Sequence, residues 1–175
     1  SGGRINTRGD TKAIFDSSNP LSILNQLLIG SNFLAPTDIV IIDGGANDIA
    51  DLAGAYLGAT TPDGLAAFTN KLSTVLPATT VAALVTNAPT NATLSVAASA
   101  YAQGLAQAMA QSINDKVVAR GVRKVVVVNA VDITTTPLFG GTMAALGATP
   151  GSTQRAAVQT SVQPRTNLLN AALAR

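Results

Sequence analysis

Histidine and cysteine are both missing from this chain of 175 residues, and each absence removes a class of chemistry. Without cysteine there can be no disulfide, thiolate metal ligand or thiol nucleophile. Without histidine there is no imidazole to act as a general base or to bind a metal. Charge is scarce too: 11% of residues are charged, with Lys+Arg 11 against Asp+Glu 9. The isoelectric point near 9.3 therefore reflects few charges rather than a basic surface. No run of Lys or Arg could follow a phosphate backbone, so nucleic acid is not an expected partner. The carboxylates are too scattered for a metal site or a glycosidase pair, and no cofactor is expected. No apolar run is long enough to span a bilayer, and no charged-then-apolar leader opens the sequence.

What is present is globular in character. Hydrophobic residues make up 47% of the chain, and the length suits one domain with a real core. Aromatics are only 3%, while Ala, Thr, Asn and Ser abound. This composition is common among secreted bacterial proteins, so a secreted, periplasmic or cell-surface location is expected.

Along the chain, residues 1–17 are polar and read as loop. "SSNPLSILNQLLIG" reads as a helix capped by Ser18 or Asn19, with Pro20 in its first turn and Gly30 at its stop. "DIVIID" (38–43) is a continuous apolar strand of the kind covered on both faces in a parallel sheet. From Asp51 to Thr93, Pro62, Pro77 and Pro89 break the chain into short helices. "LSVAASAYAQGLAQAMAQSINDKVVARG" is the clearest helix, with Leu105, Met109, Ile113 and Val117 at helical spacing and Gly121 past its end. "RKVVVVNAV" (123–131) reads as a second buried strand and "TPLFGGTMAALGATPGS" as loop. A last helix runs from about Thr153 to Ala174, where Pro164 is expected to kink or break it. This order describes a single α/β domain over residues 1–175 with a parallel sheet. Two strands are few for a covered parallel sheet, so the domain is expected to be partial.

The first strand ends on Gly44-Gly45-Ala46-Asn47-Asp48. Ligands of open parallel sheets bind beyond the carboxyl ends of the strands. Glycine lets the backbone turn sharply and approach a ligand closely. An Asn amide can donate to a developing oxyanion, and an Asp can hold the loop. The alternative is that these residues only make a turn and cap the next helix.

Gly45-Ala46-Asn47-Asp48 in this setting resembles the G-x-N-D motif of the SGNH, or GDSL, hydrolases, which follows a hydrophobic strand in that family. "SGGRIN" (1–6) resembles the family's Gly-Gly-Ala-Arg block. "DKVVARGVRKVVVVNAVDITTTP" is similar to the strand and loop of bacterial members, autotransporter-type esterases included, and "QTSVQPRTNLLNAALA" to the helix that follows. The resemblance implies a three-layer α/β/α, flavodoxin-like fold and hydrolysis of small-molecule or lipid carboxylic esters through a serine acyl-enzyme. It further implies an oxyanion hole formed by the Asn47 side chain and a backbone N–H at Gly3 or Gly2. Gly45 and Asp48 would support the loop. Removing one such donor typically costs about 2.7–4 kcal/mol of transition-state stabilisation.

Two blocks of the family pattern are not matched. A Gly-Asp-Ser-Leu nucleophile and an Asp-x-x-His pair have no counterpart, so the domain is expected to lack its first and last strands. The serine and the Asp–His pair would then come from segments outside these residues, such as a second chain cut from the same precursor, and this chain alone would be inactive. Gly9-Asp10-Thr11 and Asp16-Ser17 imitate the nucleophile block, but neither follows a buried strand, and a hydroxyl without an adjacent base is a weak nucleophile. Arg8-Gly9-Asp10 reads as a chance loop tripeptide rather than an adhesion signal. Asp43 could be a buried partner or merely the polar end of its strand. Asn129 and Asp132 belong at the same sheet edge as Asn47 if the strands are parallel, with loop capping as their expected role. Outside catalysis, the same residues fit a non-catalytic module on this scaffold, or an ordinary α/β domain that binds a small ligand at the strand end.

Overall fold

The first expected strand forms at Ile39–Asp43 (β1) and the second at Lys124–Val128 (β2). They pair in parallel, Ile39 opposite Lys124 through to Asp43 opposite Val128. These are the two strands of a computed structural model that describes residues 22–85, 89–145, 147–148 and 150–174. The helices follow in the chain order α1 (Ile23–Gly30), α2 (Ala46–Gly58), α3 (Pro62–Ser73), α4 (Ala78–Leu84), α5 (Asn91–Lys116), α6 (Pro137–Ala145) and α7 (Thr153–Leu173). The chain is thus a mixed α/β protein with a parallel pair of strands among many helices.

The core is built on α5. Thr90 and Thr93 form a reciprocal capping box at its start, which satisfies two donors that the first turn leaves open. Leu94, Ala98, Tyr101, Leu105 and Met109 recur every three or four residues and are buried along one face. Each large apolar side chain buried in this way contributes about 1.5–3 kcal/mol. The small residues between them (Ala97, Ala102 and Ala106) are buried as well, and they let α2 and α7 pack against the helix. The short helices expected after Asp51 are α2, α3 and α4. Where α2 turns into α3, a Cβ on Gly64 would fall 1.8 Å from the Gly58 carbonyl oxygen, so this corner admits only glycine.

Several elements depart from the sequence expectation. Helix α1 starts at Ile23, where the Ser22 hydroxyl accepts from the Asn25 N–H at 3.4 Å; Ser18, Asn19 and Pro20 lie outside the described residues. β1 is buried on one face only: Val40 and Ile42 are each 1% exposed, whereas Ile39 and Ile41 are 56% and 55% exposed. β2 is shorter than 123–131, and none of its residues is fully buried. A continuous apolar run shows that both faces suit burial; here no described residue covers the second face.

The segment expected as loop after Thr136 contains α6. Thr136 caps it through Phe139 N–H to Oγ1 at 3.3 Å, and Pro137 occupies the first helical position, where its missing N–H costs nothing. Gly140 and Gly141 in its middle disguise the pattern. Helix α7 runs through Pro164 without ending. Pro164 and Thr160, whose carbonyl loses its donor, are both exposed, so water can take the place of the lost hydrogen bond.

Candidate site at the carboxyl edge of the strands

Parallel pairing with Asp43 opposite Val128 brings the two strand ends to one edge. Asn47 and Asp48 thereby share that edge with Asn129 and Asp132. Asp43 itself is exposed at the end of β1. Beyond it the chain reverses into α2 at Gly45, whose φ of 96° and ψ of −19° are left-handed. A side chain there would meet its own carbonyl, so glycine is the natural occupant. Gly45 then acts as N-cap, its carbonyl accepting from the Ile49 N–H at 3.1 Å.

Asn47 and Asp48 fall in the first turn of α2, whose N–H groups and positive dipole end face the strand edge. Asn47 is half-buried, and its amide makes no side-chain hydrogen bond to another described residue. Asp48 is 1% exposed, and a carboxylate in the first turn is favourably placed against the helix dipole. The motif therefore presents one amide at the edge and directs one carboxylate inward.

Under the carboxylate lies Tyr101 of α5, wholly buried. Burial pushes its hydroxyl pKa far above the ordinary tyrosine range, and the negative charges of Asp48 and Asp51 push it in the same direction. Thr74 lies near enough to draw it back slightly. However, the Thr74 hydroxyl donates to the Lys71 carbonyl at 2.7 Å, and no described residue bonds Tyr101 Oη. Tyr101 is therefore a neutral phenol without a hydrogen-bond partner among the described residues. Lys71 Nζ lies 5.7 Å from the centre of its ring and pairs with Asp51 at 3.1 Å. No signal in the sequence marked Tyr101, because an aromatic at a core position of α5 reads as packing.

The second strand end is built differently. Asp132 Oδ1 accepts from the Thr134 N–H at 3.0 Å and the Thr134 hydroxyl at 2.7 Å. Its Oδ2 accepts from Gln163 Nε2 at 3.0 Å, which fits the loop-capping role expected of it. Asn170 of α7 accepts from the Ala130 N–H at 2.8 Å and donates to the Ala130 carbonyl at 2.9 Å. Asn129 is exposed. Gly2 and Gly3, the expected backbone donors, lie outside the described residues, as do Gly9-Asp10-Thr11 and Asp16-Ser17.

Among the described residues, no group of three or more His, Cys, Asp or Glu could hold a metal, and no helix is long and apolar enough to cross a membrane. A surface groove of about 540 Å³ lies between α3 and α4, lined by Pro62, Leu65, Thr69, Asn70 and Val81 among others. No titratable side chain lines it, so it offers no acid–base chemistry. In comparison with known proteins, no family model matches this chain, and neither does any curated protein or solved structure.

Proposed function

We propose that this chain is the oxyanion-hole part of a carboxylic ester hydrolase of the SGNH type, acting on a small-molecule or lipid ester. The observation that carries the reading is Asn47, an amide without a side-chain partner among the described residues, in the first turn of the helix that follows the carboxyl end of a parallel strand. As a serine attacks the ester carbonyl, charge moves onto the carbonyl oxygen, and a fixed N–H donor nearby stabilises it. Asn47 Nδ2 is that donor in our reading, with a backbone N–H at Gly3 or Gly2 as its companion. Gly45 sets the turn, and buried Asp48 holds the first turn of α2 in place. The full domain would be three-layered and flavodoxin-like. The apolar outer face of Ile39, Ile41, Val126 and Val128, exposed by 40–56%, supports a further covering layer, since parallel sheets are normally covered on both faces. The nucleophilic serine and the Asp–His pair would come from other segments of the precursor, and a secreted, periplasmic or cell-surface location fits the composition.

The test is an intact-mass measurement, native and denatured, after incubation with a fluorophosphonate serine probe. Release of a further, labelled peptide on denaturation is the expected result for the naturally produced protein. A folded 175-residue species that stays alone and unlabelled would overturn this proposal for the molecule. It would favour a second reading, a non-catalytic module on the same scaffold, for which the absence of histidine already speaks.

A further inference from the structure

The outer face of the sheet carries its charges in a pattern that is complementary to itself. Side chains alternate between the two faces of a strand, and the register sets Ile39 beside Lys124, Ile41 beside Val126 and Asp43 beside Val128. All six are exposed, so they form one outward patch, while Val40 and Ile42 between them are buried in the core. The middle of the patch is apolar. A base, Lys124, stands at the amino end of β2, and an acid, Asp43, stands at the diagonally opposite corner, the carboxyl end of β1. Lys124 forms no ion pair with a described residue.

An acid and a base at opposite corners of an apolar patch fit a two-fold axis. Two such patches can be laid face to face about an axis perpendicular to the diagonal from Asp43 to Lys124. Rotation then exchanges the corners, so Asp43 of each copy faces Lys124 of the other and both pairs form together, as an isologous contact requires. With about 3.3 Å per residue along a strand and about 4.8 Å between strands, the strands of the two copies cross antiparallel at roughly 40°. Stacked twisted sheets adopt a similar angle, roughly 30°. They stand about 10 Å apart, a gap that a lysine and an aspartate side chain span together. We infer that this face is the interface of a symmetric homodimer, its apolar middle closed by a second copy of the chain and its register set by two reciprocal Asp43–Lys124 pairs. The second copy supplies the cover that a parallel sheet normally has on each face. The inference is independent of ester hydrolysis, because it uses no residue of the Asn47 turn.

The test is sedimentation equilibrium of the purified 175-residue chain at low ionic strength, with folding of each variant checked by circular dichroism. The expected species has twice the 17.6 kDa mass of one chain. The patch is small for an interface, so half-dissociation is expected at a concentration on the order of 10 μM. Ile41→Lys places a charge in the apolar middle of an exposed face and should leave a folded monomer. Asp43→Lys and Lys124→Asp should each weaken self-association by at least about tenfold, because each turns both pairs into like-charge contacts. Mixed one to one, these two variants should form a heterodimer about as tight as the unaltered dimer, since both pairs are then restored with opposite charges. A chain that stays monomeric at about 200 μM would overturn the inference. So would a dimer that survives Ile41→Lys, or folded charge variants that fail to pair on mixing. If Asp43→Lys does not fold, Ile41→Lys and Lys124→Asp decide, and a dimer undiminished in either would overturn the inference.

Discussion

The loops that follow β1 and β2 sit side by side on one sheet edge, and they use their polar groups in opposite ways. After β2, Asp132 closes on Thr134 and Gln163, and Asn170 reaches across from α7 to satisfy both backbone groups of Ala130. Those side chains hold the chain in place. After β1, a left-handed glycine makes the reversal and caps the helix without a side-chain hydrogen bond, Asp48 is buried in the first turn, and the Asn47 amide makes no side-chain hydrogen bond to another described residue. A loop that keeps its shape through backbone geometry can reserve a side chain for a ligand, whereas a loop held by its own side chains cannot.

The sharpest way to break this comparison is to remove the asparagine from each loop. On the proposed function, Asn47→Ala in the complete protein should lower turnover of a short-chain ester by about 10²–10³-fold with little change in the unfolding midpoint. Asn129→Ala, at the neighbouring strand end, should leave both almost unchanged. Equal activity in the two variants would remove Asn47 from the chemistry and reduce its motif to a turn.

The reverse pattern is expected of Asn170. Truncation to alanine leaves a buried backbone N–H and carbonyl at Ala130 unpaired, a loss of about 2 kcal/mol, or roughly 4–8 °C in the unfolding midpoint. Hydrogen exchange at the Ala130 amide should quicken accordingly. Asn170→Asp keeps the acceptor and loses the donor, so it should fall between the two. An unchanged exchange rate in Asn170→Ala would mean that the β2 loop does not depend on its side chains. For the β1 loop the matching change is Gly45→Ala, which forces a Cβ into a left-handed conformation and should cost about 1–2 kcal/mol. A smaller loss, measured by urea unfolding, would show that the loop relaxes and that its backbone is not what fixes Asn47.

The contrast was only half legible in the sequence. Gly44-Gly45 after an apolar run announced a reversal at the carboxyl end of a strand, because glycine chemistry is local. The shared edge of the two ends followed from the parallel arrangement expected of an α/β order. Nothing near Asn170 announced that it would bind Ala130, forty positions earlier, since a helical asparagine carries no mark of what it faces. Burial of the sheet was legible only as a capacity, for a related reason: the strand pattern records what could be covered, not what covers it. Helix α6 was hidden by Gly140 and Gly141, though Thr136-Pro137 is an ordinary start signal and Gly147, left-handed at φ 74°, an ordinary stop.

The smallest effect expected concerns what supports the β1 loop from below. Tyr101 Oη is buried without a partner among the described residues, so Tyr101→Phe removes an unsatisfied polar atom and should stabilise the protein slightly, by up to about 1 kcal/mol. The sign of its pH dependence follows from the raised pKa. Below the ordinary tyrosine value of about 10 the phenol is neutral in both folded and unfolded chains and contributes nothing. Above it, the unfolded chain releases a proton that the folded chain retains, so stability falls as pH rises. Phenylalanine has no such proton. The stability gap in favour of Tyr101→Phe should therefore widen by about 1 kcal/mol between pH 10 and pH 11, measured by urea unfolding of both proteins. A gap that stays constant over this range would mean that the phenol ionises as easily in the fold as in the open chain. It would also mean that the floor beneath Asp48 admits water, and the β1 loop would then lose the dry support that distinguishes it from its neighbour.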